Sequence, residues 1–133
     1  MPCRAGLRPA LLLALVTAAC HSDTKPKTLV GWRPISSWTG HGDSQTDSFN
    51  IESGQWRIKW AATNEQPAGS GTLLVTAHSA ISGRPIAVAI DHKGPGSGIA
   101  YINEDPRLYH LVIESRNLDW SMKVEESEVG YSR

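Results

Sequence analysis

Five histidines, two cysteines and several adjacent acids are the side chains of this 133-residue chain whose types invite chemistry. A metal site needs three or four ligands converging at ~2 Å. His78, His92 and His110 are the candidates, but no His-x-His pair or Glu-x-x-His spacing supports them. They are expected to be solvated surface histidines, with no metal and no cofactor. "HGDSQTD", His41 to Asp47, sets Asp43 and Asp47 around Ser44 and Thr46. Hard calcium favours such oxygen-rich loops. The EF-hand spacing is absent, so the stretch reads as a polar turn. Glu104-Asp105 and Glu125-Glu126 are neighbours in sequence. Neighbours on a strand point to opposite faces, so neither pair alone can face across a glycosidic bond. "GPGSG", Gly94 to Gly98, opens no helix and lacks the setting of a phosphate cradle. There is no Gly-x-Ser-x-Gly elbow. The expectation is a non-enzyme, with no catalytic residues.

The tryptophans carry more information. Trp56, Trp60 and Trp120 alternate with polar residues in "QWRIKW" and "DWSMKV" and are expected in the core. Trp32 and Trp38, in "VGWRPISSWTGHG", precede the regular alternation. They cover a sheet edge, or stand exposed as ligand-binding aromatics; Trp and Tyr are favoured residues of binding surfaces.

The N-terminus is an address. "MPCRAGLRP" holds Arg4 and Arg8 and no acid, and Ala10 to Ala19 is apolar except for Thr17. That run is too short to span a bilayer, which takes ~20 residues. A basic start, a short apolar run and small residues at its end make a secretory signal peptide over residues 1–19. Thr17 and Ala19 suit ordinary signal peptidase. Ala18-Ala19-Cys20 resembles a bacterial lipobox, although Thr17 stands where Leu is usual. The resemblance implies that Cys20 becomes the acylated first residue of the mature chain. Cys3 leaves with the signal peptide, so Cys20 is the single mature cysteine and no disulfide forms. Stable anchoring takes two or more acyl chains. His21 rather than Asp after the cysteine favours the outer membrane over the plasma membrane. Residues 20–30, with "HSDTKPKT", read as a flexible tether.

These features must be positioned by strands. Phe49 and Ile51 share a face, as do Trp56, Ile58 and Trp60; Leu73, Val75 and Ala77; and Ile86, Val88 and Ile90. Tyr109, Leu111 and Ile113 oppose His110 and Val112, and Trp120, Met122 and Val124 oppose Ser121 and Lys123. This is period-2 alternation, and no window sustains a helical period. His78 and His110 both fall opposite the apolar set, so they are able to meet on one sheet. Ser53-Gly54 is expected to join the first two strands tightly and "RNLD" the last two. "VEESEVGYSR" reads as a frayed end. The outcome is an all-β chain: one antiparallel β-sandwich, jelly-roll-like, of about seven to eight short strands over residues 31–133.

"FNIESGQWRIKW" and "LYHLVIESRNLDWSMKV" are similar to the opening pair and closing hairpin of pre-peptidase C-terminal-type modules, small extracytoplasmic β-sandwiches of bacteria. The chain has Asp105-Pro106-Arg107 where those modules have Gly, and "PIAVAIDH" lacks their alternating Asp motif. The resemblance implies the fold. With 13 basic and 13 acidic residues and no basic block, nothing points to nucleic acid. The functional expectation is a lipid-anchored envelope protein, a non-catalytic binding module for a protein or a polysaccharide. The alternatives are an accessory envelope subunit, or a hydrolase with a cross-strand site around His78 and His110.

Overall fold

The structure, a computed structural model, describes residues 27–132, and the side chains of 31–129. The signal peptide, the lipobox with Cys20 and most of the tether lie outside these residues. The chain divides into a body, Val30–Glu128, and a second unit made of its two ends.

Among the described residues there are nine strands and no helix. They are β1 (Lys27–His41), β2 (Ser44–Gln45), β3 (Phe49–Ile51), β4 (Trp56–Thr63), β5 (Thr72–Ser79), β6 (Pro85–Lys93), β7 (Gly96–Ile102), β8 (Arg107–Arg116) and β9 (Asp119–Ser132). One sheet has the order β1-β9-β4-β7. The other runs β2-β8-β5-β6, with β3 also pairing β8. Counting β2 and β3 as one interrupted strand, this is the eight-strand order of a jelly roll. The core lies between the sheets. Strict alternation places Leu73, Val75 and Ala77 of β5, Tyr109, Leu111 and Ile113 of β8, and Trp120, Met122 and Val124 of β9 inside. Trp56 and Ile58 face them from β4. Trp56 and Tyr109 pack with ring centroids 4.8 Å apart, and Phe49 joins them. The Tyr109 hydroxyl donates to the Asp105 carbonyl at 2.7 Å, which orders the turn before β8.

Several expectations are corrected. The two joints expected as hairpins are crossovers. β3 and β4 lie in different sheets, and so do β8 and β9. At the second joint Asn117 takes a left-handed conformation (φ 56°), and Leu118 is fully buried. Alternation reveals which face a residue takes, not which strand it pairs with, and an apolar corner residue is what a crossover needs. Trp32 and Trp38 do not precede the strands; they stand in β1, an edge strand whose sheet partner is β9. Ile86, Val88 and Ile90 do not share a face. Val75 pairs with Ile90 but Thr76 with Val88, so Ala89 is an extra residue. That bulge turns Val88 outward to 64% exposure while Ile90 stays buried. The expected frayed end is part of β9, in which Val124, Glu125 and Glu126 are buried. The Glu126 carboxylate accepts from the backbone N–H of Glu52 and of Ser53 (2.7 Å for the latter) and pairs with Arg33. It thereby ties the β3–β4 crossover to β1 and β9.

Candidate functional site: a trough on the outer face of one sheet

The outer face of the β1-β9-β4-β7 sheet is built in rows, because β4 pairs with β9 on one side and β7 on the other. Ala61 lies between Ser121 and Ser97. Lys59 lies between Lys123 and Ile99, and Arg57 between Glu125 and Tyr101. Successive rows are ~7 Å apart along the strands. The first row has only short side chains, so the sheet surface dips there. With Ser37 and Thr39 of β1 on one side and Lys59, Lys123 and Ile99 at the next row, these residues surround a hollow of about 510 Å³. A second hollow of about 460 Å³ adjoins it and shares Thr39 and Ser121; His41, Thr63 and Asp119 line its far side. Together they form a trough along the strands.

The two ends of the trough differ. At one, Arg57 donates from Nε to Glu125 at 2.7 Å, both side chains being largely buried. The Arg57 guanidinium lies 4.1 Å from the Trp32 ring centroid, and Trp32 meets Tyr101 at 5.8 Å. Tyr101 is 54% exposed. At the other end Asp119 contacts His41 Nδ1 at 2.8 Å and accepts from Asn64 at 2.7 Å. The Asn64 and His41 hydrogen bonds hold its carboxyl below the usual aspartate range.

Trp32 and Trp38, paired in the sequence reading, part company here. Trp38 is half-buried against the core, 5.6 Å from Phe49, and also lines the first hollow. Trp32 is half-buried over Arg57. Alternation in β4 puts Arg57 and Lys59 opposite Trp56, Ile58 and Trp60, and so outward. Nothing local indicated that β9 and β7 flank them, and so the trough was not anticipated.

The histidines do not converge on a third ligand. Among the described residues no three His, Cys, Asp or Glu side chains form a metal-binding group. His78 and His110 do meet, as direct cross-strand partners on the other sheet, with rings stacked at 5.3 Å. His78 Nδ1 also contacts the Gly83 carbonyl at 3.1 Å. Burial, aided by His78, pushes His110 below its usual value. His92 instead packs on Trp60 at 4.9 Å. Two glycines of "GPGSG", Gly96 and Gly98, serve that contact. A β-carbon on Gly96 would sit 2.6 Å from His92 Nε2, and one on Gly98 3.2 Å from Trp60 Nε1. Asp43 accepts from the Ser115 N–H at 2.9 Å, and the buried Thr46 hydroxyl accepts from the Leu111 N–H at 3.0 Å. The "HGDSQTD" loop thus fastens the edge of β8, and Asp47 is exposed.

No family model matches this sequence, and no curated protein is significantly similar to it.

Proposed function

We propose that this is a lipid-anchored protein of the bacterial cell envelope whose sandwich binds an envelope polysaccharide along the trough, without catalysing a reaction on it. The observation that carries this reading is the hollow of about 510 Å³ floored by Ala61, Ser97 and Ser121, with Tyr101 two rows beyond and Trp32 packed against it. Ligand sites are concave, typically ~300–1,000 Å³, and rich in aromatics with a few placed polar groups. The anchor rests on "LVTAACHSD" and acylation of Cys20, and His21 favours the outer membrane. Among the described residues no helix is long and apolar enough to cross a membrane.

Two experiments test this. The protein, purified in detergent from its host, is immobilised and challenged with purified peptidoglycan and envelope polysaccharide fractions. Retention that is lost in Ala61→Tyr, which fills the floor from a solvent-facing position, supports the trough. Retention unchanged by Ala61→Tyr and by Trp32→Ala refutes it, and no retention at all favours an accessory subunit. For the anchor, Cys20→Ser should abolish acyl labelling and move the protein from the detergent to the aqueous phase. A wild-type protein already aqueous and starting unmodified after Ala19 refutes the anchor.

A further inference from the structure

The row next to the floor contains a pairing that folding alone does not favour. Lys59 and Lys123 are direct partners on adjacent antiparallel strands, on the outer face. Like charges in that position destabilise a sheet. One row further, the same two strands set Arg57 against Glu125 and form an ion pair. Both lysines are exposed, and among the described residues neither has an ion-pair partner. The nearby acids are already held: Glu125 by Arg57, and Asp119 by His41 and Asn64. Asp119 is also four residues from Lys123, ~13 Å along the strand. The chain as a whole is neutral. The positive charge beside the hollow is therefore a local arrangement and not the spill-over of a basic protein.

We propose that Lys59 and Lys123 form a two-point clamp for the acidic groups of an anionic polysaccharide lying in the trough. This rests on the binding-module reading and names its ligand class. An ammonium is a compact charge with three rotatable donors on a flexible stem, so two of them follow a carboxylate or phosphate ester without demanding planar geometry. The short side chains of Ala61 and Ser121 leave room for a sugar ring beside the clamp, and the exposed Tyr101 ring lies a row away. An anion between the lysines relieves their repulsion, so binding and stability are coupled through this row.

Calorimetric titration of the detergent-purified protein tests the clamp, with oligogalacturonate as carboxylate probe, a phosphorylated oligomannose as phosphate probe and neutral oligogalactose as control. The expected result is that at least one acidic probe binds and the neutral one does not. In the Lys59→Gln/Lys123→Gln double variant its affinity falls at least tenfold, with no loss of melting temperature. In 0.5 M salt, with screening over ~4–5 Å, wild-type affinity also falls about tenfold or more. Which acidic probe binds identifies the group recognised. Equal binding of neutral and acidic probes, or unchanged affinity in the double variant, overturns the clamp. If no probe binds while polysaccharide retention still depends on Ala61, the clamp is wrong and the trough reading survives. If retention fails as well, both fall.

Discussion

Replacing Glu126 by alanine should be among the most damaging single changes in the molecule. Glu126 is 2% exposed, and its carboxylate receives the Glu52 and Ser53 N–H groups and the Arg33 guanidinium. Arg33 is nearly half exposed and rehydrates when its partner is removed. The two backbone donors are less free, because the crossover that carries them packs against β9. A hydrogen bond to a charged group contributes ~1.5–3 kcal/mol, and a buried donor left without an acceptor costs ~1–3 kcal/mol. Two such donors place Glu126→Ala at ~3–5 kcal/mol. For a domain of this size each 1 kcal/mol moves the melting temperature by ~4–8 °C, so the loss exceeds ~12 °C. Glu126→Gln keeps an oxygen for both N–H groups and should lose only ~1–2 kcal/mol. Urea unfolding at constant m-value is the assay. A Glu126→Ala protein within ~1 kcal/mol of wild type would refute the reasoning, as would glutamine and alanine variants of equal stability.

Four more outcomes are expected. Gly40→Ala should cost ~1–3 kcal/mol by overpacking, since its methyl would meet Trp120 Cζ2 at 2.6 Å while Trp120 is tethered by Nε1 to the Gly42 carbonyl. Gly54→Ala, with nothing within 4 Å, should change stability by less than ~0.5 kcal/mol; equal effects in unfolding titrations would contradict the packing argument. His110 is held below its usual value in the fold, so its stabilising contribution is complete above the unfolded value of ~6.5 and is lost as pH falls below it. Unfolding free energies measured at about pH 7.5 and 5.5 should drop more for wild type than for His110→Asn. Asp119 is also held low, by its Asn64 and His41 hydrogen bonds, but from the carboxylate range of ~3.9, so its contribution is lost only at more acid pH and does not obscure the comparison. Lys123→Gln should raise stability by ~0.2–1 kcal/mol at low salt through removal of the Lys59 repulsion. The gain should vanish near 1 M salt, where screening acts over ~3 Å. Destabilisation at every salt concentration in thermal melts would show that the pair does not repel.

Much of the fold was open to reading residue by residue. Period-2 alternation in "QWRIKW", "TLLVTAHS", "LYHLVIES" and "DWSMKV" correctly assigned Trp56, Val75, Tyr109 and Met122 to the interior. It also put His78 and His110 on one outer face, where they stack. The alternation misled at Val88, because a bulge inserts one residue and reverses the face, and nothing in "PIAVAIDH" marks Ala89 as the extra one. It was silent on Trp32, whose neighbours Arg57 and Tyr101 come from strands remote in sequence.

The division has a physical cause. Which way a side chain points depends on its own strand's pleat, a local property, so the all-β class and, outside the bulged β6, the inner faces were determined by the sequence alone. The candidate address at Cys20 likewise needs no fold to be read. Which strand lies beside which depends on free energy gained between segments far apart in the chain. Only the tertiary structure turned the expected β3–β4 and β8–β9 hairpins into crossovers, placed β4 between β9 and β7, and so set Lys59 against Lys123 beside a floor of Ala61, Ser97 and Ser121.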